Sequence, residues 1–260
     1  MKEKNDPTRS TGQSEGMIEG EISVLAVLEE RRRDVSELVI DAERAREELR
    51  EVVQAARVAR VHMREATRET IDALAAGRTH GGVLAQAGPR RYLSLERLSQ
   101  DVIRSGDAAP WFVMLDGIED PFNYGQAVRA LYAAGCAGLL VRMRTWMGGD
   151  TVILRSSAGA TERMPTCLVD GPEQAAEYFR AQGCRIVSTA RDRRSESIFD
   201  VDLGGPLLLL IGGEKRGLRR ELLDQSDLVL RIPYERRFPH SLGSAASTAV
   251  LAFEMMRRRL

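Results

Sequence analysis

Three features of the sequence predict an α/β protein with a mainly parallel C-terminal sheet behind a smaller α/β domain. From Trp111 onward six short, near-continuous apolar runs alternate with helical segments, the pattern of strands buried on both faces of a parallel sheet. A second set of alternations fills residues 17–100, enough for a small domain with its own core. No run of eighteen apolar residues occurs in the 260-residue chain, so no segment reads as a membrane span.

The elements follow in order. Residues 1–16 are charged, bear Ser, Thr, Gly and Pro, and have almost no apolar side chains, the composition of a disordered tail. Ile22, Val24, Leu25, Val27 and Leu28 predict a short amphipathic helix, and residues 36–41 a strand. A helix is predicted from Ala42 onward, with Leu49, Val52, Val53 and Ala56 inward at three- and four-residue spacing. Residues 59–63 fit either strand or helix. Residues 65–76 predict a helix with Ile71 and Leu74 inward and Gly77 as its C-cap residue, and residues 82–87 a strand. Ser-Gly-Asp and a proline within residues 99–110 mark a linker, set at 101–110 between domains spanning 17–100 and 111–260. Beyond it, strands are predicted at 111–117, 138–143, 167–171, 185–190, 207–213 and 228–233, with helices at 126–134, 172–182, 218–224 and 244–259.

Composition narrows the function classes. Cys136, Cys167 and Cys184 are widely spaced without a CxxC pair, which excludes a disulfide scaffold and a cysteine zinc site, and no metal is expected. The polar N-terminus is unlike a secretion signal, so a cytoplasmic protein is expected. Basic and acidic residues balance at 38 each, yet only Lys2, Lys4 and Lys215 are lysines; the rest are arginines, whose planar fork suits phosphate. Residues 54–97 hold eight arginines against four acids, a local excess able to face phosphates. There Arg78, His80, Arg90 and Arg91 are candidate RNA contacts, joined by Arg236 further on.

In open α/β sheets, ligands lie at the carboxyl ends of strands. The loop after the first strand of the second domain carries Asp120-Pro121-Phe122-Asn123, then a helix with Arg129, a helix start favourable for anions. The strand at 207–213 runs into Gly212-Gly213-Glu214-Lys215-Arg216-Gly217-Leu218. This is neither a P-loop nor a dinucleotide fingerprint, so nucleotide hydrolysis and hydride transfer lose their usual warrant. Ile232-Pro233 precedes a charged loop through Arg236, Arg237 and His240, and Ser241-Leu242-Gly243-Ser244-Ala245 opens the last helix.

In order and spacing these three loops resemble the motifs of the SpoU (TrmH-like) branch of the SPOUT methyltransferases, over roughly residues 111–258. Asp120-Pro121-Phe122-Asn123 and Arg129 match the first motif with one inserted residue; Ser157-Ala158-Gly159-Ala160 matches a further signature. Gly212 to Leu218 and Ile232-Pro233 match the second, and Ser241-Leu242 begin the third. Gly243 stands where the family has Asn, and Ala245 where it has Ser.

The resemblance implies a methyltransferase that uses S-adenosylmethionine on a ribose 2′-hydroxyl of RNA, rRNA ahead of tRNA. It also implies a deep trefoil knot at roughly 185–250 and a homodimer through the SPOUT domain. Residues 17–100 look like the L30e-like substrate domain of rRNA-modifying members. Carried over, Gly212, Gly213, Ile232, Leu242 and Thr189 form the cofactor pocket, while Asn123, Arg129, Glu214 and Ser241 line the reaction centre. For the departures at Gly243 and Ala245, either Ser244, Ser247 or His240 substitutes, or the chain is an RNA-binding dimer that is catalytically silent or altered in substrate.

Overall fold

The computed structural model describes residues 15–44, 47–144, 147, 150–213 and 217–260; most of the expected tail at 1–16 lies outside them. The first domain comprises β1 (Gly16–Glu19), α1 (Glu21–Glu30), β2 (Val35–Asp41), α2 (Arg50–Ala59), β3 (His62–Ala66), α3 (Arg68–Leu74) and β4 (Val83–Ala87). Its sheet has the order β1-β4-β2-β3, with only β2 and β3 parallel. Leu38 and Ile40 of β2 face Val24, Val27 and Leu28 of α1 and Val52 and Ala56 of α2, whereas Val39, between them, packs with Leu84 and Ile71 on the other side. That alternation is the two-residue period of a strand covered on both faces.

Several boundaries differ from the sequence expectation for local reasons. The helix expected from Ala42 begins at Arg50, because Asp41 accepts a hydrogen bond from the Glu43 amide at 3.0 Å and turns the chain after β2. Arg60, with φ of 58°, ends α2 and frees residues 62–66 to pair with β2, so the ambiguous 59–63 divide: Ala59 closes the helix and His62 and Met63 open the strand. The helix expected at 65–76 is confined to α3 by the Thr67 N-cap. Gly77 is not its C-cap residue; its amide donates to the Glu19 carboxylate at 3.2 Å.

The second domain runs α4 (Leu95–Ser105), β5 (Trp111–Asp116), α5 (Pro121–Ala133), β6 (Gly138–Val141), α6 (Asp150–Ser156), α7 (Ala160–Arg163), β7 (Thr166–Leu168) and α8 (Pro172–Ala181). It continues with β8 (Arg185–Thr189), β9 (Glu196–Ser197), β10 (Leu207–Gly212), α9 (Arg220–Asp224), β11 (Leu228–Arg231) and α10 (Ser244–Arg257). All seven strands are parallel, in the order β7-β6-β5-β10-β8-β11-β9. Val113 and Leu115 of β5 and Leu209 and Ile211 of β10 join one core with α5 and α10, while Phe112, Met114, Leu208 and Leu210 join the other with α4 and α8.

The expected linker at 101–110 is a correction. Its first half is the end of α4, which Ser94 caps by accepting from the Arg97 amide at 3.2 Å and which buries Leu98 against the sheet. The chain between the domains is itself bonded to both: the Arg91 amide donates to Arg32 O at 2.8 Å and the Leu93 amide to Thr166 O at 2.9 Å.

A buried ion cluster joins the domains. Glu162 of α7 accepts from Arg33 Nη2 at 3.0 Å and lies 3.9 Å from Arg90, with all three side chains buried. Burial and the neighbouring Arg90 pull the Arg32 guanidinium below its ordinary pKa. Leu154 of α6 enters the first domain's core. Gly159 (φ +76) lies so close to α1 that a Cβ would stand 2.7 Å from the Ala26 methyl.

Removing one member of such a cluster strands the others in a dry site, so Glu162→Gln is expected to lower unfolding stability by about 3 kcal/mol, read from the shift of the urea midpoint. A second test concerns acid. Glu254 of α10 accepts from Arg257 at 2.8 Å and Arg258 at 2.7 Å, and these bonds hold its carboxyl at about 2 rather than 4.5. A depressed folded pKa gives stability that is present above the unfolded value near 4.5 and is lost as pH falls toward 2. Because Arg257 is exposed, the contribution is about 1 kcal/mol. Glu254→Gln should flatten the thermal midpoint against pH between those limits.

Candidate functional site

The parallel strands β5, β10, β8 and β11 are neighbours, so the loops that follow them gather at one edge of the sheet. Two glycine contacts bring these loops together. A Cβ on Gly213 would stand 2.4 Å from Gly117 O, and one on Gly212 would stand 2.7 Å from the Gly217 carbonyl carbon and Leu218 N. Real Cβ atoms do not approach backbone so closely, so only glycine permits this fold of the loop. The Gly217 amide donates to Gly213 O at 3.0 Å.

Beside these glycines lies a cleft of about 330 Å³. Six residues expected at the site line it: Thr189, Gly212, Gly213, Ile232, Ser241 and Leu242. The Thr189 hydroxyl donates to Leu210 O at 3.2 Å. The Leu242 amide donates to the Tyr234 hydroxyl at 2.9 Å, and Ser247 Oγ donates to Leu242 O at 3.2 Å. The cleft is thus walled by apolar side chains and main chain held by short polar ties.

Among the cleft residues not singled out from sequence are Arg191 and Tyr234. Arg191 places its guanidinium 5.1 Å from the centre of the Tyr234 ring and donates to Phe238 O and His240 O, each at 3.1 Å. The available signal was an aromatic at 234 directly after Ile232-Pro233, and an arginine two residues beyond Thr189.

The other expected residues divide. Asn123 and Arg129 are not among the cleft's lining residues. The helix expected at 126–134 starts at Pro121, so Asn123 sits in its first turn, where its amide donates to the Asp120 carboxylate at 2.8 Å. Arg129 is exposed on α5 and forms no ion pair with a described residue. Glu214 lies outside the described residues. Arg78 and Arg236 are exposed; Arg91 is half-exposed and bonded to Asp34 and Arg31 O, both at 2.7 Å.

Arg90 and His80 are corrections to the expected RNA contacts. Arg90 is buried, donates to Met164 O at 2.9 Å and Thr166 Oγ1 at 3.2 Å, and serves the domain junction. His80 is buried, accepts from the Gly82 amide at Nδ1 (3.1 Å), and therefore carries its proton on Nε2 toward Asp72 at 2.8 Å.

A seven-stranded parallel sheet behind a small mixed-sheet domain, with a glycine-walled cleft at the strand ends, defines a two-domain α/β protein of the SPOUT methyltransferase class. The chain belongs to the SpoU rRNA methylase family, whose profile matches residues 110–253. Residues 17–93 match the profile of the RNA 2′-O ribose methyltransferase substrate-binding domain.

It is 28% identical over 242 residues to the 23S rRNA (guanosine-2′-O-)-methyltransferase RlmB of Pseudomonas putida, covering 93% of this chain and 96% of that protein. The RlmB of Vibrio vulnificus is 28% identical over 247 residues, covering 95% and 98%. The AdoMet-bound rRNA methyltransferase of Sinorhizobium meliloti has the same fold, with a TM-score of 0.73 at 23% identity over 95% of this chain and 88% of that one. So does the SpoU methyltransferase AviRb of Streptomyces viridochromogenes with AdoMet, with a TM-score of 0.73 at 22% identity over 94% and 90%.

The steric argument at the cleft is directly testable. Gly213→Ala is expected to lower stability by about 1–3 kcal/mol through overpacking. Gly16→Ala, where an added Cβ meets nothing within 4 Å, should stay within about 0.5 kcal/mol of the parent. Equilibrium urea unfolding of the two variants makes the comparison.

Proposed function

We propose that the protein transfers a methyl group from S-adenosylmethionine to a ribose 2′-hydroxyl of rRNA. One observation carries this reading: the residues that match the second and third SpoU motifs, far apart in sequence, line a single cleft, in a chain that also bears the family's substrate-binding domain. The rRNA preference draws on the relatives named RlmB. The silent-scaffold alternative is not favoured.

The cleft suits the cofactor. Gly212 and Gly213 let the loops close tightly on one another at its wall, Ile232 and Leu242 offer apolar walls to a flat ring, and Thr189 adds a hydroxyl to the lining. When bound, the cofactor supplies an electrophilic methyl group. The chain's own residues must align a weakly acidic hydroxyl and stabilise the negative charge that grows on it. A guanidinium, with pKa above about 12, is a poor base at neutral pH. Arg129 therefore grips a phosphate and stabilises that charge, while Asn123 and Ser241 orient the substrate and Glu214 orients loop groups.

A homodimer through α5 and α10 is part of this proposal. Phe122, Arg129 and Tyr132 are exposed on α5, and Ala246 and Phe253 on α10, and helix α5 packs on α10. Arg129 lies at the heart of that face. A knotted threading within 185–250 is part of the same reading, supported by the family match over residues 110–253. Arg78 and Arg236 remain the RNA contacts of choice, and a neutral total charge fits shape-guided binding with few phosphate contacts and a shallow salt dependence. An RNA substrate fits a cytoplasmic setting.

Incubation with labelled cofactor and total RNA, followed by nucleoside mass spectrometry, should yield a 2′-O-methylnucleoside; a base-methylated product overturns the reading. Arg129→Lys should lower turnover at least about tenfold, because a point charge does not replace a bidentate fork. Near-full turnover in that variant contradicts the role given to Arg129.

A further inference from the structure

At the rim of the cleft an aromatic side chain is held out toward solvent. Phe238 is 48% exposed. Its ring centre lies 6.3 Å from that of Tyr234, a cleft residue, and 5.4 Å from that of His240, which meets it edge-on at 69°. Exposed aromatics on loops usually move, but this one is braced. Arg191 donates to the carbonyls of Phe238 and His240, both at 3.1 Å, while its guanidinium rests over Tyr234. Tyr234 is fixed in turn by the Leu242 amide at 2.9 Å. The ring is thus presented by a loop clamped on both sides of it.

The surroundings indicate the occupant. Arg236 and Arg237 are exposed on the same loop and pair with no described residue, and Glu235 is the loop's one acid. An accessible ring among unpaired cations is the pairing that single-stranded nucleic acid requires, since bases stack on aromatic faces while phosphates seek arginine. Phe238 does not line the cleft itself, which separates it from the cofactor's walls.

Resting on the methyltransferase reading above, we propose that Phe238, flanked by His240 and braced by Arg191, is a stacking platform for an unpaired RNA base next to the ribose presented at the cleft. The platform makes an unstacked nucleotide beside the target part of what the enzyme recognises.

The test uses the full chain and an octamer of oligoadenylate carrying one 2-aminopurine, with anisotropy for affinity and base fluorescence for stacking. The wild-type protein should bind and quench the probe. Phe238→Leu should lose the quenching and bind about tenfold more weakly, whereas Phe238→Trp should retain both. Calorimetry with S-adenosylmethionine should give the same affinity for all three proteins, and sedimentation the same mass.

Unchanged quenching and affinity in Phe238→Leu overturns the platform, as does a wild-type protein that does not bind the probe. A changed cofactor affinity would place the ring in the cofactor pocket, and a changed mass would make it a subunit contact; either overturns the proposal. Failure of the wild-type chain to bind S-adenosylmethionine would instead strike the methyltransferase reading, which the RNA arms do not measure.

Discussion

A carboxylate without water around it must be met by cations that are equally dry, and Glu162 finds its cations outside its own domain. Arg33 comes from the turn between α1 and β2, and Arg90 from the segment that joins the domains. Net stabilisation by such a cluster is modest against an apolar replacement, but its specificity is high, because any other docking leaves buried charge unanswered. The cluster therefore acts together with the bonded joining segment and the packing of Leu154 and Gly159 to fix how the two domains meet.

That constraint passes to the proposed reaction centre through direct packing. Gly159 lets α7 lie flush on α1, and Leu154 of α6 completes the first domain's core. On the other side of α6, a Cβ at Gly125 would stand 1.9 Å from Ser156 Oγ, so α5 packs on α6 with the Ser156 side chain seated in the space the glycine leaves. Tyr124, next to Asn123, is buried close to Arg90 and Glu162, and burial raises its phenol well above the ordinary pKa. Substrate domain, ion cluster and the helix bearing Asn123 and Arg129 thus form one continuous contact path. On the proposed function, such a path places an RNA held by the first domain in register with the reaction centre, as a displacement that depends on geometry requires.

What was legible in the sequence follows the same physics. The strands of the second domain stood out because both of their faces are buried and their apolar runs are nearly unbroken, as in Leu207 to Ile211. The cleft residues stood out because motif spacing survives folding. Helices α6 and α7 were missed because they are only 7 and 4 residues long, too short to show a period. Helix α4 was read as linker because its cap glycine, Gly106 with φ of 73°, resembles a linker's start. Arg90 and His80 were read as surface because their partners are remote or polar: Glu162 lies 72 residues from Arg90, and the Asp72 carboxylate and Gly82 amide neutralise the need of His80 for water. Pairing of that kind has no local signature.

The altered third motif is where sequence and structure inform each other most. Gly243 and Ala245, where the family pattern has Asn and Ser, raised the question of whether Ser244, Ser247 or His240 substitutes. Gly243 occupies the N-cap of α10 without a side chain to cap it. The loop is nonetheless tied at Leu242 from two directions, by the Tyr234 hydroxyl on its amide and by Ser247 Oγ on its carbonyl. Among the residues expected to compensate, Ser247 ties Leu242 with its side chain, while the carbonyl of His240 is clamped by Arg191. These ties come from one turn along α10 and from the Ile-Pro-Tyr segment, with Ser241 at the cleft wall beside a rim of Tyr234, Phe238 and Arg191. A loop anchored at Leu242 and exposed from Glu235 to His240 puts its outer surface ahead of the cleft, with Ser241 between the two.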